Sequence, residues 1–130
     1  MKILIVDDDE DVRTILRLMF RRGDHEVLEA GDGTEAVLRA ATELPDVIVL
    51  DIMLPAIDGY ATLEALRSMR GTRSIPVVVL SARALREDIA RAYEVGADDY
   101  VTKPFTPDEL TVVVEAIAEA GRAPHPSVHW

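Results

Sequence analysis

The chain has 130 residues, 48% of them hydrophobic, which fits a single compact domain around one core. Its formal net charge of −10, from 24 acidic and 14 basic residues, argues against a surface that neutralises nucleic-acid phosphates, so we expect no direct nucleic-acid binding. The absence of cysteine excludes disulfides and thiolate metal sites, and no apolar stretch approaches the roughly 20 residues of a membrane span, so we expect a cytoplasmic domain without membrane insertion.

Short apolar runs predict five strands. Most of them have the length and composition of strands buried on both faces of a sheet, and helical patterns separate them. The run over residues 26–29 is the weakest of the five. In chain order the predicted strands are Ile3 to Val6, Glu26 to Glu29, Asp46 to Asp51, Val77 to Leu80, and Asp99 to Thr102.

Amphipathic patterns between the strands predict five helices. Thr34 is the expected N-cap of the second helix and Asp58 that of the third. The fourth helix is predicted over Leu85 to Val95, and the segment from Thr106 to Glu109 opens the fifth. The first helix is predicted to place on one face Val12, Ile15, Leu16, Met19 and Phe20.

The alternation of strands and helices predicts the fold class. Strands joined through helices make right-handed crossovers, which give an α/β sandwich of three layers around a parallel sheet. A doubly wound fold of flavodoxin type suits this size. We expect the domain to occupy residues 1–121, because the remaining residues 122–130 contain two prolines and no helical period, as in a C-terminal tail or a truncated linker.

Residues that bind phosphate or metal follow four of the predicted strands: Asp7 and Asp8, Asp51, Ser81, and Lys103. Parallel strands place their carboxyl ends at one edge of the sheet, where ligand sites form. Carboxylates so close together would repel by about 4 kcal/mol per pair at an effective dielectric near 20, unless a cation lies among them. Oxygen ligands without histidine or cysteine favour Mg²⁺, Mn²⁺ or Ca²⁺.

Four motifs, taken in their order and spacing, resemble the receiver domains of two-component response regulators. The resemblance covers residues 2 to about 120 and implies a flavodoxin-like sheet of five parallel strands in the order 2-1-3-4-5. The motifs are Ile5-Val6-Asp7-Asp8; Val49 to Pro55 followed by Asp58-Gly59; Leu80-Ser81-Ala82; and the segment from Gly96 to Phe105.

The resemblance also implies roles for the site residues. Asp51 would be the phospho-acceptor and would hold Mg²⁺ together with Asp8 and the backbone carbonyl of Met53, while Asp7 supports the ion; Mn²⁺ is a second candidate. Lys103 and Ser81 would stabilise the transferred phosphoryl group, which fits a reaction that needs positioned cations and donors. The Lys103–Pro104 peptide bond is expected to be cis, since proline makes that isomer accessible.

The implied function is a signalling switch. A sensor histidine kinase or a phosphotransfer protein would donate the phosphoryl group, and the domain would catalyse only this transfer and its own dephosphorylation. Ser81 and Tyr100 would couple phosphorylation to the surface formed by the fourth helix, fifth strand and fifth helix. An output protein or effector domain, which the sequence does not identify, would bind that surface, and phosphorylation-dependent self-association is a further option.

Three alternative functions are compatible with parts of this pattern. A degenerate receiver would bind partners without phosphorylation. A haloacid-dehalogenase-like phosphatase would need a second acid where Met53 stands, and a flavodoxin-like carrier would need a phosphate loop where the acids Asp7 to Glu10 stand. We also expect no catalytic or metal-binding histidine, because none of the three has a carboxylate or cysteine partner at ligand spacing in the sequence.

The fifth helix is expected to carry more apolar surface than one core face needs, which would suit a hydrophobic partner interface. The residues concerned are Leu110, Val112, Val113, Val114 and Ile117.

Overall fold

The computed structural model describes residues 1–53, 58–83 and 85–121. Within them, strands and helices alternate strictly along the chain. The elements are β1 (Lys2–Val6), α1 (Glu10–Arg21), β2 (Glu26–Ala30), α2 (Gly33–Glu43), β3 (Val47–Asp51), α3 (Gly59–Ser68), β4 (Val77–Ser81), α4 (Arg86–Val95), β5 (Asp99–Thr102) and α5 (Pro107–Ala120). All five predicted strands and all five predicted helices are present, with ends that differ by a few residues.

The sheet has the predicted topology. Its strands are all parallel and lie in the order β2-β1-β3-β4-β5, so β3 is the central strand. Every residue of β3 and β4 is buried, which explains why both appear in the sequence as continuous apolar runs. The doubly wound α/β fold is therefore confirmed.

Two hydrophobic cores cover the two faces of the sheet. Alternate strand residues point to opposite faces, so Leu50 belongs to the core under α2, α3 and α4, whereas its neighbour Val49 belongs to the core under α1 and α5. Both cores consist largely of fully buried aliphatic side chains. The layers hold the strands rigidly, and the strands in turn fix the positions of the polar residues at their carboxyl ends.

Two predictions about the first helices were wrong. Ile15 was assigned to the buried face of α1, but its side chain is 63% exposed, whereas Leu16 and Phe20 are buried. Each residue turns a helix by about 100°, so Ile15 points away from the stripe that Leu16 and Phe20 form. Thr34 was assigned as the N-cap of α2, but Asp32 is the cap, and its carboxylate accepts a hydrogen bond from the Glu35 N–H at 2.8 Å.

Predictions about the later helices fared better. Asp58 caps α3 by accepting from the Ala61 N–H, and Thr106 and Glu109 form a reciprocal capping box at α5. The apolar excess predicted for α5 is smaller than expected. Of the five residues predicted to form it, only Val112 is strongly exposed, at 65%; the other four pack fully or partly against the core.

The expectation that no histidine is catalytic or binds metal stays a prediction. His25 does contact a carboxylate from a distant part of the chain. Its Nε2 lies 3.0 Å from Oε2 of Glu115 on α5, and its side chain is almost fully buried. His125 and His129 lie outside the described residues, as does the whole segment 122–130 that was predicted to be a tail. Among residues 1–53, 58–83 and 85–121, no helix is long and apolar enough to cross a membrane.

Candidate functional site

The carboxyl ends of four strands converge at one edge of the sheet. Asp7 directly follows β1, Asp51 and Ser81 are the last residues of β3 and β4, and Lys103 follows β5. The parallel register sets Asp51 beside Leu80, and Ser81 beside Thr102. The structure thus brings together the residue types that the strand ends were predicted to gather.

Three carboxylates form the centre of this edge. Asp7, Asp8 and Asp51 each contribute one oxygen to a group in which all the oxygens lie within 4.8 Å of one another. Asp7 and Asp51 are buried, and Asp8 is exposed. Lys103 lies beside the two buried acids, with its Nζ 3.4 Å from Oδ2 of Asp7 and 3.4 Å from Oδ2 of Asp51. The Lys103–Pro104 peptide bond is cis, as predicted.

The electrostatics of the site are unfavourable for its own acids. The pKa of Asp7 is raised from 3.8 to about 6, chiefly because burial penalises the charged carboxylate and further because the charge of Asp51 is close. A hydrogen bond from the Asp9 N–H and the charge of Lys103 act in the opposite direction without overcoming these effects. One ammonium therefore leaves the three carboxylates short of positive charge, and a divalent cation bound through hard oxygen ligands fits this deficit.

The phosphoacceptor candidate and its hydroxyl neighbour are both held by the main chain. Oδ1 of Asp51 accepts a hydrogen bond from the Met53 N–H at 2.9 Å. The buried Ser81 hydroxyl accepts one from the Arg83 N–H at 3.0 Å, and the Ser81 carbonyl accepts one from the Lys103 N–H at 2.8 Å. These bonds leave Oδ2 of Asp51 facing Lys103. The role of the Met53 carbonyl as a metal ligand stays a prediction.

The sequence matches the model of the family described as the response regulator receiver domain over residues 3–115. This chain belongs to that family. The receiver is 42% identical over 126 residues to the alkaline phosphatase synthesis transcriptional regulatory protein PhoP of Bacillus subtilis strain 168, an alignment that covers 97% of the chain and 52% of PhoP. It spans about half the length of the curated relatives it matches.

Solved receiver structures share the fold closely. The receiver domain of the Francisella response regulator 1452 is 35% identical and superposes with a TM-score of 0.85 over 92% of this chain and 97% of that one. The receiver domain of the sensor histidine kinase PA1611 from Pseudomonas aeruginosa PAO1, described with a magnesium ion coordinated in its active site cleft, is 31% identical, with a TM-score of 0.84 over 91% of this chain and 97% of that one.

Tyr100 of the receiver contacts the loop that follows Ser81. Its hydroxyl donates a hydrogen bond to the Arg83 carbonyl at 2.9 Å, and its ring packs half-buried against the core under α2, α3 and α4. Since Ser81 accepts from the N–H of the same Arg83, the two predicted switch residues hold one peptide segment from two sides. This contact relates them geometrically, and the switch itself stays a prediction.

A group of charged residues that was not predicted from the sequence lies behind the acids. Arg13 of α1 donates from Nη1 to the Asp7 carbonyl at 2.7 Å and from Nε to Oε1 of Glu29 at 3.2 Å. Arg17 donates to the other oxygen of Glu29 at 2.7 Å. Burial acts to raise the pKa of Glu29, but the bonds and charges of Arg17 and Arg13 outweigh it and hold that pKa below 4.5. Only the spacing of the two arginines, four residues apart on one helix face, hinted at such a cluster.

Proposed function

We propose that this receiver domain accepts a phosphoryl group on Asp51 in a Mg²⁺-dependent reaction and thereby controls an output partner. The donor would be the phosphohistidine of a sensor histidine kinase or of a phosphotransfer protein. The observation that carries the proposal is the convergence of Asp51 with two further acids, the Ser81 hydroxyl and the Lys103 ammonium at one edge of the sheet. The controlled partner would be a separate output protein or an effector domain.

The metal site would use residues already in place. Asp8, Asp51 and the Met53 carbonyl would hold Mg²⁺, and Asp7 would support it from its buried position. Bound there, the ion would supply the positive charge that the carboxylates lack and that a phosphoryl group requires. The magnesium ion in the related Pseudomonas receiver supports this assignment. Mn²⁺ is the second candidate, because it also prefers oxygen ligands.

Asp51 would act as the nucleophile. One of its carboxylate oxygens attacks the phosphorus atom of the donor, the bond between phosphorus and the imidazole nitrogen breaks, and the imidazole leaves, so that Asp51 becomes an acyl phosphate. Lys103 and the Ser81 hydroxyl would donate to the phosphoryl oxygens, whose negative charge is spread in the transition state. Water would later attack the phosphorus atom, break its bond to the Asp51 oxygen and release inorganic phosphate, which returns Asp51 to a carboxylate.

The switch would begin at Ser81. Its hydroxyl at present accepts from the Arg83 N–H, and turning to donate to a phosphoryl oxygen would release the main chain of Arg83, whose carbonyl accepts from Tyr100. Tyr100 would then move towards the core against which its ring already packs. A bistable change of this kind would alter the surface of α4, β5 and α5 and so bias the binding of the output partner.

Intact mass spectrometry after incubation with acetyl phosphate and Mg²⁺ tests the proposal directly. Wild type should gain one phosphoryl group, whereas Asp51→Asn should gain none, and a chelator should prevent the gain in wild type. Asp58→Asn is the matched control, because it makes the same exchange at the N-cap of α3, where asparagine caps as well as aspartate. No gain in folded wild-type protein would favour the degenerate receiver that acts by binding alone.

A further inference from the structure

We infer that Arg13 is a positioning residue of the phosphoryl-transfer site, which fixes the loop that carries Asp7 and Asp8 and thereby sets the affinity for the divalent ion. The contacts of Arg13 go to Glu29 and to the Asp7 carbonyl, not to the carboxylates of Asp7, Asp8 or Asp51, so it acts through the main chain of Asp7. The inference rests on the proposed function, since it assigns a role towards the metal site proposed above.

The main chain of Asp7 is held at both ends of the residue. Its N–H donates to the Ala30 carbonyl at 3.1 Å, which continues the pairing between β1 and β2. Its carbonyl lies past the end of the strand and accepts from Arg13 at 2.7 Å. The carboxylate is tied locally, by the Asp9 N–H at 2.9 Å. Asp9 ties the end of this loop to α1 as its N-cap, whereas Arg13 is the α1 side chain that holds the Asp7 carbonyl, at the point where the sheet pairing stops.

Glu29 holds Arg13 in the orientation that this contact needs. It accepts from Nε of Arg13 with one oxygen and from Arg17 with the other, so Arg13 uses one nitrogen for Glu29 and another for Asp7. The Arg13 side chain is only 18% exposed, and that of Glu29 is 27% exposed. A guanidinium can make both contacts at once because its donors are fixed in a plane, whereas a lysine ammonium at the end of a flexible chain lacks that fork.

The anchoring matters because the acids repel one another. Without a bound cation, Asp7, Asp8 and Asp51 would lower their mutual repulsion if the loop after β1 moved away from β3. The bond from Arg13 opposes this movement and keeps the oxygens close together, within 4.8 Å of one another, so that one ion could contact all three. The two arginines and Glu29 together also carry one positive charge behind the loop. Mutation of a residue that orients a metal ligand without binding the metal itself typically weakens metal affinity by about 10- to 100-fold.

Titration calorimetry with Mg²⁺ alone tests the role of Arg13, with wild type, Arg13→Gln, Arg13→Lys and Arg17→Gln compared at one pH. We expect Arg13→Gln to raise the Kd for Mg²⁺ by about tenfold or more and Arg13→Lys to raise it by a smaller factor. Arg17→Gln is the matched control, because it removes an ion pair with Glu29 without touching Asp7, and it should change the Kd by less than about twofold. Urea unfolding of each variant measures the structural effect separately.

The outcomes separate the two proposals. A folded Arg13→Gln that binds Mg²⁺ within twofold of wild type overturns the role of Arg13, and so does an equal loss of affinity in Arg17→Gln. If Arg13→Gln does not fold, Arg13→Lys decides: an unchanged Kd overturns the role, and a raised Kd with an unchanged Arg17→Gln value supports it. Wild type that binds no Mg²⁺, or Asp51→Asn that binds it as well as wild type does, refutes the metal site itself and with it the inference.

Discussion

Replacing Asp7 with asparagine should make the metal-free domain more stable while it impairs the proposed site. Asp7 is buried, and its pKa is raised from 3.8 to about 6. Each tenfold change in proton affinity corresponds to about 1.4 kcal/mol, so the charged Asp7 destabilises the folded state by about 3 kcal/mol at neutral pH. Asparagine keeps an acceptor for the Asp9 N–H but gives up the contact with Lys103, so we expect a net gain of about 1 to 3 kcal/mol.

The effect should depend on pH in a defined direction. Well below pH 3.8 Asp7 is protonated in both the folded and the unfolded chain, and its charge costs nothing. Between 3.8 and about 6 the folded chain holds this proton more tightly than the unfolded chain does, so wild type loses stability as the pH rises through that window. The advantage of Asp7→Asn should therefore be full above about pH 6 and should be much smaller near pH 4.

Urea unfolding in the presence of a chelator, at about pH 7 and about pH 4, measures this effect. Asp9→Asn is the control, because it removes one charge from the same loop at the N-cap of α1, where asparagine serves as well as aspartate; its stability should stay within about 0.5 kcal/mol of wild type. An Asp7→Asn variant that is no more stable than wild type near pH 7, or one whose advantage is as large near pH 4 as near pH 7, would refute the electrostatic reasoning.

Three further predictions concern the fold, the reaction and the charged cluster. Gly59→Ala should destabilise the domain by more than about 3 kcal/mol in urea unfolding, because its Cβ would lie 2.3 Å from the Ile52 Cα; Gly71→Ala, with open space around the new Cβ, should be neutral. Ser81→Ala should slow the mass gain with acetyl phosphate by about tenfold or more, since one phosphoryl donor is lost, and an unchanged rate would contradict this role. Glu29→Gln should be less stable than wild type above pH 4.5, and thermal unfolding should show that difference shrinking as the pH falls through the lowered pKa of Glu29; a constant difference would exclude the proposed pairing.

The sheet could be predicted because its strands are buried on both faces. Strands β3 and β4 have no exposed residue, so each reads as an uninterrupted apolar run bounded by polar residues. The buried faces of the helices were harder to predict, because an apolar residue next to the buried stripe has the same spacing in the sequence as one inside it. Ile15 shows this: it lies between Val12 and Leu16 in sequence but is exposed in the fold. The N-cap of α2 was predicted wrongly for a similar reason, because Asp32 and Thr34 lie two residues apart and both residue types cap helices well.

The acids and the lysine could be placed together because topology alone brings the carboxyl ends of parallel strands to one edge. Their distances, and the raised pKa of Asp7, depend on burial that no spacing pattern records. The contact of Arg13 with the Asp7 carbonyl was missed for a different reason. A guanidinium that binds a main-chain oxygen requires no particular residue type at its partner, so the sequence carries no paired signal for it.

Asp7 and Arg13 act on the same loop in opposite ways, and this gives a joint test of how the site works. Asp7 adds repulsion that a bound cation would relieve, whereas Arg13 prevents the loop from relieving that repulsion by moving away. Asp7→Asn should therefore raise the stability of the metal-free domain, and Arg13→Gln should lower it, yet both should weaken Mg²⁺ binding. If Mg²⁺ affinity instead rose in the more stable variant and fell in the less stable one, affinity would simply follow the stability of the domain. If stability rose in Asp7→Asn and fell in Arg13→Gln while both variants bound Mg²⁺ more weakly, the fold would be shown to hold its acids in an arrangement whose repulsion a bound cation relieves.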